Sequence, residues 1–380
     1  MDLKTRFPHK IEGEGAGTRL DSYLQGILPE ISRSRWARLV DEGTLRVDGQ
    51  TVKPSHKLKV GQEISVEADA RIDESDDALP RGAGQATFSG VAPTILFEDE
   101  DLLVLDKPAG LTVHPGAGVA VDQTLVGWLL TEGKVNAESP GHLAWGDDLL
   151  EERRPGIVHR LDRGTSGTLV VAKHPSAHAK LASQFADRSA GRFYWALSQG
   201  DASTLGAKAP PRLAQYLREH QASVAFRISR DGIHSFASLH DRDPRERQRF
   251  AVVPKDGRKA ISHFRLLDRS EGHSLLELKL ETGRTHQIRV HLSFLGLPIA
   301  GDLLYGGQAK DSAPRLMLHA HTLFFEHPRS GKALSFHAPW PADAARRLLD
   351  LGFDASSVRP PLEDLWRTWN SILPKAGPKT

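Results

Sequence analysis

The chain has 380 residues, and its 50 Lys and Arg against 48 Asp and Glu leave a formal net charge of +2. That length suits two or three domains, and 39% hydrophobic with 26% charged residues excludes a chain lacking a packed core. Charge balance excludes a uniformly polybasic binder but not local basic patches, and the absence of cysteine excludes disulfide scaffolds, thiolate catalysis and cysteine-bearing zinc sites.

The opening MDLKTRFPHKIEGEG has no apolar signal-peptide core, and no apolar run nears the roughly 20 residues of a membrane span. The expectation is a soluble, cytoplasmic protein. Leu20, Tyr23, Leu24, Ile27 and Leu28 lie on one helical face that ends before Pro29. A second short helix is predicted after Ser32 or Ser34, with Trp36, Leu39 and Val40 inward and Gly43 at its stop. Arg33, Arg35 and Arg38 cannot all share that apolar face, which leaves a cationic side. Thr44–Val47, the turn Asp48-Gly49 and Gln50–Val52 read as a hairpin, and Ile64–Val66 closes a helix–helix–sheet module. Residues 68–92 lack either period and read as a linker.

The second region predicts strands at Ile95–Phe97, Leu102–Leu105, Thr168–Ala172, Phe193–Ser198, Ser262–Leu267, Leu275–Leu280 and Leu323–Glu326. Helical patterns cover Ala177–Asp187 and Thr285–Leu295. Strands and helices mix without a regular βαβ repeat, which favours α+β over a doubly wound sheet. Residues 131–154 and 201–235 read as polar insertions, and the tail 346–380 carries one apolar stripe, Leu362, Leu365, Trp366 and Trp369.

Two stretches are dense in chemistry. In Gly156–Gly167, Asp162 stands between Arg160 and Arg163 on a loop bounded by glycine, and nearby cations hold a carboxylate ionised. Composition alone favours the plainer reading, surface ion pairs around a turn. In Glu281–His291, Gly283 precedes a helical pattern, which places Arg284 in its first turn. His286 and His291 are a poor metal pair, because five residues apart they point different ways on a helix. The pairs His174/His178 and His319/His321 read as ordinary surface or supporting histidines. GxSxG, GxxxxGKS and a strand-linked GxGxxG are all absent. Tyr194, in the alternating run Arg192–Leu197, is in isolation best read as a core tyrosine. Arg242, Arg245, Arg247 and Arg249 form a ribbon suited to phosphates, or equally a solvated edge.

Taken together, these segments resemble the RluA family of RNA pseudouridine synthases. His159-Arg160-Leu161-Asp162-Arg163-Gly164-Thr165-Ser166-Gly167 is similar to its HRLDxxTSG signature. Leu105–Leu111 with Val113-His114-Pro115, Arg192-Phe193-Tyr194 (Arg in place of Lys), Arg242–Arg245, Thr282–Arg289, Pro298–Asp302, Tyr305-Gly306, Leu318-His319-Ala320 and His327-Pro328 follow in family order. The first module is similar to the S-four RNA-binding domain.

The resemblance implies an α+β pseudouridine synthase fold, with a mixed, mainly antiparallel central sheet flanked by helices, behind a small α+β S-four-like domain. It implies boundaries at 13–67, 68–92, 93–345 and 346–380. It implies uridine isomerisation in RNA, foremost large-subunit ribosomal RNA, with no cofactor and no metal; no membrane partner is expected, and a monomer is the default expectation. Asp162 would be the catalytic carboxylate, Tyr194 would stack on the uracil or take its carbon 5 proton, and Arg284 would pair with Asp162. Arg33, Arg35, Arg38, Arg160, Arg163, Arg242 and Arg245 would contact RNA. A transfer-RNA substrate and a non-catalytic ribosome-assembly factor are the competing readings.

Overall fold

The apolar stripe at Leu20–Leu28 does form a helix in the computed structural model, which describes residues 7–28, 36, 39–66, 88–115, 119–135, 156–206, 210–220, 223–246, 248–306 and 313–354. The chain divides into two units, one of Met1–Thr87 with Leu130–Pro155 and the other of Phe88–Leu129 with Gly156–Thr380.

In the first unit, β1 (His9–Lys10), β2 (Leu45–Val47) and β3 (Glu63–Val66) make an antiparallel sheet in the order β1-β3-β2, joined by α1 (Leu20–Ile27). Leu20 and Leu24 meet Trp36, Leu39, Val40, Leu45 and Ile64 in one core. The Asp48-Gly49 turn forms, with both residues at positive φ and Val47 and Gln50 exchanging amide bonds. Its expected return strand, Gln50–Val52, does not form. Asp48 accepts instead from the Glu63 amide and the Gln62 side chain, both at 2.9 Å, so β2 takes β3 as its partner. Arg33, Arg35, Arg38 and most of the linker stretch lie outside the described residues.

The second unit is built on eleven strands. In chain order they and their helices are β4 (Thr94–Glu98), β5 (Leu102–Lys107), α2 (Leu125–Thr131), β6 (Ser166–Ala172), α3 (Pro175–Asp187), β7 (Gly191–Gln199), α4 (Pro211–Glu219), β8 (Val224–Ile228), β9 (His234–Arg242), β10 (Phe250–Val253), β11 (Arg258–Ser270), β12 (His273–Leu280), α5 (Gln287–Phe294), β13 (Leu318–Glu326), β14 (Ala333–His337) and α6 (Ala342–Asp350). The sheet runs β10-β9-β11-β12-β7-β13-β6-β5-β4, with β14 on β13 and β8 on β9. Its described pairs are antiparallel except β13 with β6. The architecture is the mixed, mainly antiparallel α+β sheet that the resemblance implies.

That parallel joint explains one glycine. Gly167 faces Ala320 at φ 117°, and a Cβ there would run into the Ala320 backbone. Helix α3 starts with Pro175 behind a His174 cap that accepts the Ala177 amide, and it buries Ala177 and Leu181 against Leu102, Val104, Val170 and Leu323.

Two sequence expectations are sharpened by the structure. Residues 201–235 are not structureless: α4 and β8 lie within them. Val224–Ile228 alternates too weakly to read as a strand, and the free edge of β9 recruits it. Of the two readings of His319 and His321, surface or supporting, the structure favours the second, since both are fully buried on β13. Across five strands Ser166, His319, Trp195, Glu277 and Arg265 stand in register. There Ser166 Oγ lies 2.9 Å from His319 Nδ1, His319 Nε2 donates to the Ala338 carbonyl, and Arg265 pairs with the buried Glu277 at 2.6 Å. The tail stripe at 362–369 lies outside the described residues. Among the described residues no helix is long and apolar enough to cross a membrane.

Candidate active site

Asp162 sits on the loop that feeds β6, four residues before the parallel joint. A turn closes behind it, the Thr165 amide donating to the Asp162 carbonyl at 3.0 Å. The loop is pinned to the turn that leaves β5. The Gly110 amide donates to the Arg163 carbonyl at 2.7 Å, and Arg163 Nε returns a bond to the Gly110 carbonyl at 3.1 Å. Between them lies Lys107, fully buried, whose Nζ donates to the carbonyls of Pro108 and Leu111 at 2.9 and 2.8 Å, with the Arg163 carbonyl at 3.5 Å. Burial pushes Lys107 down to about 7, while the Asp162 carboxylate pulls the other way.

Two further arginines brace this loop. Arg192 on β7 donates to the Arg160 carbonyl at 3.4 Å and lies over the Phe185 ring, 5.3 Å from its centroid. Arg160 Nη1 donates to His114 Nε2 at 3.1 Å. His159 Nε2 accepts the Val170 amide at 3.0 Å.

The cation that faces Asp162 is not the expected one. Arg284 was expected in the first helical turn, yet α5 starts only at Gln287. The buried Gln287 side chain accepts from the Arg284 amide and the Thr282 hydroxyl, and donates to the Ile261 carbonyl and the Ser262 hydroxyl. This drawn-in turn directs the Arg284 guanidinium to the Lys259 carbonyl at 3.2 Å. Among the described residues it is Arg289 Nη1 that lies within ion-pair distance of Asp162, at 3.5 Å, with the two side chains only 12% and 17% exposed. Arg289 Nε and Nη2 grip Asp302 at 2.8 and 2.9 Å, leaving Nη1 for Asp162. Asp302 in turn accepts the amides of Leu304 and Tyr305, and the Arg289 guanidinium lies over the Tyr305 ring. Burial alone would lower the pKa of Arg289, but its bond to Asp302 and the charges of Asp302 and Asp162 raise it overall.

Tyr194 on β7 is buried. Burial raises its phenol pKa, Arg192 opposes the rise and Asp162 adds to it, so the ring stands within the field of the carboxylate and stays protonated. Arg160 and Arg163 are exposed beside Asp162, and Arg242 and Arg245 are exposed at the end of β9 and just past it. Arg242 lies over Phe250, and Arg249 over Tyr305.

Lys107, Arg289 and Asp302 were assigned no role from sequence. Lys107 carried a signal, a lysine closing the apolar run Leu102–Leu105. Arg289 carried none that distinguished it from Arg284. Asp99, Asp101 and His327 stand close enough to hold a cation. Their charges are already matched, however, since Arg329 and His174 bond Asp101 and His327 bonds Asp99.

The site sets one carboxylate against the Arg289 guanidinium, within the field of the buried Lys107 and near a buried tyrosine. Comparison with known proteins places this arrangement. Residues 101–294 match the RNA pseudouridylate synthase family and residues 18–64 the S4 domain. The chain is 35% identical to Ribosomal large subunit pseudouridine synthase D of Xanthomonas campestris, over 91% of this chain and 92% of that protein. It is 36% identical to the protein of the same name from Pseudomonas aeruginosa, over 87% and 91%. An uncharacterized RNA pseudouridine synthase of Chloroflexus aurantiacus is 39% identical, over 86% and 87%. Likeness of this extent, with the family's motifs gathered around Asp162, makes the chain a member of the RNA pseudouridylate synthase family, an isomerase of the RluA type with an S4 domain ahead of its synthase domain.

Proposed function

We propose that this synthase converts uridines of large-subunit ribosomal RNA to pseudouridine, with Asp162 as the catalytic carboxylate. The observation that carries this reading is the Asp162 carboxylate facing Arg289 at 3.5 Å on the family's signature loop, with the buried Lys107 in its field. The relatives from Xanthomonas and Pseudomonas, named for the large ribosomal subunit, support the substrate.

The reaction breaks the bond between C1′ of the ribose and N1 of uracil, turns the base, and joins C5 to C1′. The C5 proton departs and N1 takes one up, so atoms and electrons balance without a cofactor. A carboxylate near C1′ assists the departure of the base, as nucleophile or by opposing the positive charge that develops on the sugar. Arg289 faces it, Lys107 lies within its field, and Asp302 fixes Arg289. Tyr194 is a stacking platform for the flipped base. Its raised pKa disfavours the phenolate needed to take the C5 proton.

Arg160, Arg163, Arg242 and Arg245 meet the RNA backbone in this reading, as do Arg33, Arg35 and Arg38 of the N-terminal segment. Arg284, held at the Lys259 carbonyl, belongs with these RNA contacts rather than with Asp162. Residues 13–67 serve as the RNA-binding domain, 68–92 as its linker, 93–345 as the synthase domain and 346–380 as a tail.

Tritium release from RNA labelled at uridine C5 tests the chemistry. The wild-type chain should release label, and Asp162→Asn should lower the rate by about 10⁴-fold or more; an Asn variant that still releases label removes the role of Asp162. Mapping pseudouridines in cells lacking the protein tests the substrate, because loss of sites confined to transfer RNA contradicts the ribosomal assignment.

A further inference from the structure

His286 stands immediately before α5 with φ 57° and ψ 18°. A non-glycine residue takes this left-handed conformation seldom, histidine more readily than most. Here a hydrogen-bond relay holds the ring. The buried Tyr305 hydroxyl accepts the Phe250 amide at 2.8 Å, and the same oxygen lies 3.0 Å from His286 Nδ1. The phenol's own hydrogen needs an acceptor, and among the described residues Nδ1 is the one within reach. Nδ1 therefore accepts, which leaves the imidazole hydrogen on Nε2.

That hydrogen is unused: Nε2 makes no hydrogen bond to a described residue, and the ring is partly exposed. The charged groups around the ring are Asp162 and Arg160 from the catalytic loop, Arg289 from its own helix and Asp302 from the turn ahead of Tyr305. His240, bonded to the Thr285 carbonyl, faces it from β9. Burial keeps the imidazole neutral despite the two carboxylates. A single turn, Asp302–Tyr305, thus anchors both Arg289, which faces Asp162, and His286, one helical turn earlier.

We propose that His286 is a further substrate-contacting residue, its Nε2–H donating to a carbonyl oxygen of the uracil while the base is detached from the sugar. When the C1′–N1 bond breaks, its electron pair leaves with the uracil and negative charge spreads to O2 and O4. A fixed neutral N–H stabilises that anion without transferring its proton, so C5 can use the electrons to form the new bond to C1′. The inference rests on the reading of Asp162 given above and adds the electrophile opposite it.

Steady-state tritium release by the full chain, with His286→Gln, His286→Asn and His286→Gly, tests it. The Gln side chain carries an N–H close to where Nε2 stood; Asn and Gly do not, although both suit a left-handed backbone better. The donor role predicts that Asn and Gly lower kcat by about 100-fold with KM little changed, and that Gln stays within about tenfold of wild type. A purely backbone role predicts the reverse order, with Gln the most impaired, and that result overturns the proposal. Three variants as active as wild type, or three equally impaired, overturn it too. Asp162→Asn run alongside reports separately, since label release there removes the Asp162 reading whatever the histidine series shows.

Discussion

Arg289 divides its nitrogens between two carboxylates, and that division is what makes it a positioning group. Two go to Asp302 in a fork and the third to Asp162, so the guanidinium has one orientation. Lys in its place would keep the charge but lose the fork. Arg289→Lys should therefore lower kcat about 100-fold, the scale of a misplaced catalytic group, with the C5-tritium assay as readout; a change confined to KM would contradict this role. At this scale the sequence was half legible. The motif loop named Asp162, and the alternation of Arg192–Leu197 set Tyr194 apart from Phe193 and Trp195. Which arginine meets Asp162 was hidden, because it depends on where α5 starts. The Gln287 side chain sets that start through bonds to Ile261 and Ser262, distant in sequence.

At the scale of elements, the Asp162 loop depends on the joint between β6 and β13. It is parallel there, and the backbones approach so closely that Gly167 has no room for a Cβ. Gly167→Ala should destabilise the protein by about 3 kcal/mol or more, since it adds left-handed strain to a backbone clash. A shift in the urea midpoint at unchanged m would register it, and a wild-type midpoint would contradict the argument. The apolar run Leu102–Leu105 was readable because both faces of β5 are buried, and the 3.6-residue stripe of α3 because one face is. Strand β8 and the partner of β2 were not. Val224–Ile228 joins the sheet because β9 offers an unpaired edge, and β2 pairs with β3 because Asp48 captures Gln62 and Glu63.

Across the whole synthase unit, buried histidines tie stability to pH. Burial pushes His319 and His240 down to about 4, against bonds to the Ala338 and Thr285 carbonyls that favour the charged form. Between pH 6.5 and 4 the folded chain keeps both rings neutral while the unfolded chain protonates them. The unfolded state then binds more protons, and stability falls as pH drops through this window, by up to about 3 kcal/mol per ring. Asp106, raised to about 6 by burial, acts in the opposite sense but is more exposed and offsets only part of the loss. His159, His291 and His321, also lowered by burial, add to the decline. Urea midpoints measured from pH 7 to 4 should fall, and His319→Gln should flatten the slope; an unchanged slope in that variant would remove His319 from the account. What the sequence by itself determined was the family and the α+β class, because motif order and apolar period are local properties of the chain. Only the tertiary structure decided that Arg289 rather than Arg284 faces Asp162, that Lys107 is buried behind the same loop, and that His286 is drawn to the Tyr305 hydroxyl nearby. Those outcomes depend on which distant carbonyls, amides and carboxylates folding brings within 3 to 4 Å, and no spacing along one chain encodes that distance.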